Sequence, residues 1–129
     1  MQKLAFKAYG EIGHRTASDK QIEYALFQQI THALEDAALA GSTSPTVWAD
    51  ALNRNLQMWT IISTDLLHPE NNLPEDTKSS LLYLAEFVRQ SSMRILAGNG
   101  DIAELVDVNT TIMVGLAGTA QPVLKAGAA

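Results

Sequence analysis

The stretch SPTVWADALNRNLQMWTIISTDLLHP, residues 44–69, decides the fold class. Ser44 and Pro45 form a helix start, with a hydroxyl at the N-cap position and proline at the first helical position, where a backbone N–H is not needed. Trp48, Leu52, Leu56, Trp59, Ile62 and Leu66 then recur at steps of four or three, the spacing of one helix face. Pro69 ends the run.

The same grammar repeats on both sides. Upstream, Ser18-Asp-Lys-Gln21 has the form of a capping box, and Ile22, Leu26, Ile30, Ala33, Leu34 and Ala37 follow at helical spacing. Gly41 and Ser42 stop that helix after about Ala40. Downstream, the polar connection HPENNLP (68–74) leads to Pro74, with Glu75 and Asp76 placed to complement the positive end of a helix dipole. Leu81, Leu84, Ala85, Val88, Ile95 and Leu96 give this helix its stripe, and Gly98-Asn-Gly100 terminates it. Asp101 is placed to cap a last helix along Ile102, Leu105, Val106, Asn109, Ile112, Met113 and Leu116. No segment alternates apolar and polar residues long enough to require a strand. Four helices on short connections predict an all-α, four-helix bundle-like single domain over 18–117. Residues 1–17 read as a short helix or arm in which Leu4, Phe6 and Tyr9 are available to dock, and 118–129 as a mobile tail.

Composition narrows the function classes. Nine Lys+Arg against 14 Asp+Glu give a net charge of -5, against the dense basic surface that phosphate-backbone binding requires. The charge is uneven: Lys3, Lys7 and Arg15 face only Glu11 in the first 17 residues, so a weakly basic arm precedes an acidic body. Without cysteine there are no disulfides, thiolate metal sites or Cys nucleophiles. The opening MQKLAFKAYGEI lacks the apolar core of a secretory signal, and the longest apolar run, residues 81–85, falls far short of the ~18 residues of a membrane span. A soluble, cytoplasmic protein is expected. With 47% apolar and 18% charged residues it has a core and a fairly apolar exterior, as suits a protein covered by a partner.

Chemistry finds little footing. His14, His32 and His68 are scattered; His32 and Glu35 sit three apart on a helix, which a solvated pair explains, so no metal site is expected. Gly98-Asn-Gly100 precedes a helix as phosphate loops do, but it lacks a preceding strand and a GKS/T sequence, so a helix C-cap is the better reading. Asp65, His68 and Glu70 gather at a helix end without a nucleophile or paired base. No catalytic residue, cofactor or enzyme activity is expected. Trp48 and Trp59, eleven residues apart, face one side of their helix, as core residues or as anchors of a partner groove. Asn109 interrupts an apolar stripe, either as a polar pin between helices or as part of a partner site. Asn53-Arg54 offers the pin's opposite number, or a salt bridge to Asp50.

With these residues in place, the chain resembles the alphaproteobacterial FlaF family of flagellar biosynthesis regulators from about Ala8 to Leu116. Ala8-Tyr9 and Ile22-Glu23-Tyr24 are similar to that family's opening. Ala51-Leu52-Asn53-Arg54-Asn55-Leu56, Trp59 and Asp65-Leu66 resemble its tryptophan helix. Pro69-Glu70-Asn71-Asn72-Leu73-Pro74 is similar to its PxNxLP connection, and Val108-Asn109, Ile112-Met113 and Gly115-Leu116 to its last helix. In this chain Gln57-Met58 separate Leu56 from the tryptophan, and Lys20 stands where an arginine is usual. The resemblance implies a role in flagellin synthesis and export, as a chaperone that binds a disordered or amphipathic helical segment of flagellin. It also implies action opposite FlbT, a regulator that restrains flagellin translation and is itself a candidate partner. The alternative is a post-transcriptional regulator of flagellin messenger RNA working with or against FlbT. Trp48, Asn53, Arg54, Leu56, Trp59, Asp65 and Asn109 are the candidate partner-binding residues.

Overall fold

The computed structural model describes the backbone of residues 17–120 and the side chains of 21–41 and 43–116. Four helices follow one another: α1 (Ala17–Ala40), α2 (Pro45–Leu66), α3 (Glu75–Leu96) and α4 (Ala103–Ala120), with a 3-10 turn at Gly41–Thr43 between the first two. No strand occurs among the described residues. Each helix packs on its two neighbours around a ring, α1 on α2, α2 on α3, α3 on α4 and α4 on α1. Cross-links such as Thr31 with Met113 and Ser91 with Glu104 place neighbours antiparallel, giving an up-down-up-down bundle.

The stops and starts follow local chemistry. Gly41 takes φ 59 and Gly98 φ 86, left-handed backbone that a side chain resists. After α3, the Gly98 N–H bonds Ile95 O (3.0 Å) and the Asn99 N–H bonds Arg94 O (2.8 Å), the paired bonds of a Schellman motif. The 98–100 turn is therefore a C-cap. Asp101 caps α4 through its carboxylate, which accepts the Ala103 N–H at 2.9 Å. Pro45 occupies the first turn of α2 as expected, but the Ser44 hydroxyl makes no capping bond. Its backbone N–H is tied back to Gly41 O by the 3-10 turn, and its carbonyl begins the α2 ladder.

The helix faces differ from the apolar stripes in an instructive way. Glu23, Phe27, Ile30, Leu34 and Ala37 form the inward seam of α1, and Trp48, Leu52, Asn55, Trp59, Ile62 and Leu66 that of α2. On α3 the seam is Leu81, Leu84, Val88, Ser91 and Ile95; on α4, with Ile102 just before its first residue, it is Leu105, Asn109, Ile112 and Leu116. All four alternate steps of three and four, the packing of bundles and coiled coils. Every seam also carries one polar residue: Glu23, Asn55, Ser91 and Asn109.

That polar residue displaces the apolar reading. Ile22 was expected inside but is 57% exposed, because Glu23 and Phe27, one position later, take the inward face. Leu56 is only half-buried, because its neighbour Asn55 holds the seam. Leu96 is 49% exposed, because Ile95 fills the last inward position of α3. α4 also runs on through Ala120, into the stretch expected as tail. The expected arm at 1–16 and the rest of the tail, 121–129, lie outside the described residues.

Candidate partner-binding cleft

A chain of three polar side chains crosses the centre of the bundle. The Trp59 indole N–H donates to Asn109 Oδ1 at 2.9 Å, and Asn109 Nδ2 donates to Asn55 Oδ1 at 2.8 Å. α2 and α4 are diagonal partners, so these bonds span the core itself. All three residues are essentially fully buried. In that setting a satisfied bond fixes geometry, whereas an unsatisfied group costs about 1–3 kcal/mol. Asn55 Nδ2 has no acceptor among the described residues, so the network carries one such cost. Asn109 is thus the pin between helices. Its opposite number is Asn55; Asn53 is exposed, and Arg54 is half-buried with no ion pair to Asp50 among the described residues.

The network holds Trp59 against a partly enclosed cleft of about 70 Å³. Phe27 meets the indole edge to face, with ring centroids 6.0 Å apart and an interplanar angle of 82°. Ile62 and Leu66 continue the wall along α2, while Ile112 and Leu116 close it from α4. Leu81 of α3 and Leu73 of the α2–α3 connection complete the apolar lining. Among the described residues that line it, Glu23 and Asp65 are the acidic ones. These residues come from the start of α1, the end of α2, the start of α3 and the end of α4, so the cleft lies at one end of the bundle.

The connection at that end is organised by Asn71, which is buried. Its Nδ2 donates to Asp65 Oδ2 at 3.2 Å, its Oδ1 accepts the Leu73 N–H at 3.1 Å, and its own N–H bonds His68 O at 3.0 Å. His68 Nδ1 accepts the Glu70 N–H at 3.1 Å. Asp65, His68 and Glu70 are therefore part of a folded helix terminus that presents Leu73 to the cleft.

Of the residues singled out from sequence, Trp59 and Asp65 line the cleft and Asn109 braces Trp59 from behind. Trp48 lies three turns away along α2, half-buried against the core, and Asn53, Arg54 and Leu56 do not line the cleft. Sequence reasoning missed Asn55, Phe27, Leu73 and the cleft roles of Leu81, Ile112 and Leu116. A strict three-four count along α2 finds Asn55, since Trp48, Leu52, Trp59, Ile62 and Leu66 leave position 55 as the missing member.

The opposite end carries an ion pair with a lowered carboxyl. Glu104 accepts the Ser91 hydroxyl and lies 3.2 Å from Arg94. The hydroxyl bond first, and Arg94 second, hold its carboxyl below the ordinary carboxylate range. On the exposed face of α3, bonds from Arg89 and then Gln90 lower the Glu86 carboxyl in the same way. Among the described residues, no three His, Asp or Glu side chains gather as a metal cage. The cleft offers apolar area and an aromatic wall, with Glu23 and Asp65 among its lining residues.

The family model for flagellar protein FlaF matches residues 5–116, which include every cleft residue. No curated protein and no solved structure matches the chain at a significant level. With the matched span covering most of its length, the chain belongs to the FlaF family of flagellar proteins.

Proposed function

We propose that this protein is a cytoplasmic flagellin chaperone that promotes flagellin synthesis and export by binding an amphipathic helical segment of flagellin at the cleft end of the bundle. The observation that carries the reading is the apolar cleft against Trp59 in a chain of a flagellar family. A cleft of about 70 Å³ suits one apolar anchor side chain, with the rest of a bound helix lying across the bundle end. Such a site favours a partner that stays disordered until bound, because the ordering cost is offset by a few well-buried anchors. Occupancy by flagellin then supplies a signal of flagellin supply, read by an FlbT-type translational regulator as a second partner.

Direct control of flagellin messenger RNA is the competing reading. The net charge of -5 and the acidic residues among the cleft lining weigh against it. No helix among the described residues is long and apolar enough to cross a membrane. Leu73→Asp tests the reading at the cleft, because Leu73 sits on a connection and is only half-buried. Calorimetry is expected to show at least tenfold weaker flagellin binding with the fold retained by circular dichroism. Unchanged affinity in a folded variant contradicts docking at this cleft.

A further inference from the structure

We propose that the cleft takes a single branched aliphatic side chain of its partner and refuses an aromatic one, with Leu81 setting the limit. This inference rests on the proposed flagellin site and names the anchor which that site accepts. Volume is its first support. The cleft measures about 70 Å³. An apolar cavity that holds benzene measures about 150 Å³. The space thus suits the branched tip of Val, Leu or Ile and falls about twofold short for a ring. Glu23 and Asp65 already have partners, so they do not choose the anchor by charge. Selection falls to shape.

The second support is which walls can yield. Trp59 is buried and tied to Asn109 by a 2.9 Å bond, and Phe27 is buried edge to face against it. Moving either ring to admit a third would break a buried hydrogen bond or that contact, each at a cost. α1 and α3 are diagonal partners in the ring of helices, so Leu81 stands across the cleft from Phe27. Among the described residues that line the cleft, it is the one that α3 supplies, and it is half-buried. The width on that side is therefore a matter of one side chain. Shortening Leu81 to alanine adds space where the rings cannot, and brings the cleft towards the ~150 Å³ that accepts benzene. A misfit in an apolar pocket changes affinity by about tenfold or more, enough to read in a titration.

The test uses the full chain and two probes, isobutane and toluene, the side-chain analogues of leucine and phenylalanine. Each is titrated into protein with isotope-labelled methyl groups, and the methyl resonances of Leu73, Ile112 and Leu116 are followed. Isobutane is expected to shift them, and toluene to bind about tenfold more weakly or worse. Leu81→Ala is expected to raise toluene affinity by about tenfold or more, with the fold checked by circular dichroism. Leu81→Val, a smaller truncation, gives a smaller gain in the same direction and carries the test if Leu81→Ala does not fold. Toluene binding as tight as that of isobutane in the parent overturns the proposal. So does toluene binding that neither Leu81 variant improves, and so do methyl groups that neither probe moves. The two readings fail separately. Size selection among the probes, with no displacement by added flagellin, removes the chaperone reading at this cleft and leaves the inference standing. Flagellin binding without size selection does the reverse.

Discussion

At one end of the bundle, α3 turns into α4 through residues 97–102, with hydrogen bonds on both sides of the turn. Gly98 reverses the chain, Asp101 caps the next helix, and Glu104 reaches back to Ser91 and Arg94. At the other end, a longer connection over 67–74 folds on Asn71 and leaves an apolar cleft beneath it. The short turn closes its end with hydrogen bonds that satisfy the helix termini. The longer one secures its backbone equally well, yet its four surrounding helix ends splay apolar side chains around a space that the chain between 17 and 116 does not fill. Local hydrogen bonding is thus shared by both ends, and the apolar cleft lies at one.

The largest expected effect tests whether the cleft end depends on the central network. Trp59→Ala removes the wall of the cleft and leaves Asn109 Oδ1 without its donor. It should cost about 3–5 kcal/mol of stability, as thermal or denaturant melts will show. A loss under about 1 kcal/mol would mean that the indole acts as a replaceable cleft wall rather than a core residue.

Asn109→Leu should come next, at about 2–4 kcal/mol, because it orphans both the Trp59 N–H and Asn55 Oδ1. The triple variant Asn55→Leu/Trp59→Phe/Asn109→Leu removes the whole polar chain, including the Asn55 Nδ2 that lacks an acceptor among the described residues. It should recover most of that loss, since replacing all members of a buried network by apolar groups is nearly neutral. If the triple variant is no more stable than Asn109→Leu, packing rather than hydrogen bonding sets the cost.

These residues also mark how far the sequence could be read. Turns and most helix ends were legible because their signals are local: Pro45, Gly41, Gly98 and Asp101 each act within a few residues of themselves, whereas the expected Ser44 hydroxyl cap does not form. The inward faces were legible only in part. An apolar stripe records hydrophobicity, and each seam includes a polar member; for Asn55, Ser91 and Asn109 the partner lies on another helix. Asn109 stood out because its neighbours at three and four positions are apolar. Asn55 did not, because Leu56 beside it offered an apolar substitute for the same turn. The cleft itself was not legible, since Phe27, Leu73, Leu81 and Leu116 share no local pattern and meet only when four helix ends converge.

The smallest effect belongs to the hairpin end. Glu104 has its carboxyl lowered in the folded chain, so its bonds to Ser91 and Arg94 contribute stability at and above the ordinary carboxylate pKa. That contribution is lost as pH falls through the lowered folded value. Glu104→Gln should therefore melt slightly below the parent near neutrality, by a small margin because the pair is solvent-exposed, and should converge on the parent as pH falls well below about 4.5, which flattens the acid side of the profile. An acid profile identical to the parent's would remove Glu104 from the clasp that distinguishes this end.

The central claim, that the bundle recognises flagellin through apolar contact at its open end, is tested most directly by calorimetric titration of the purified protein with flagellin at low and high salt, with the flagellin 5′ leader RNA as the parallel titrant. The account predicts saturable flagellin binding that weakens little as salt rises, since burial of a few anchors dominates it. Absence of flagellin binding, together with tight RNA binding that falls steeply with salt, would contradict it.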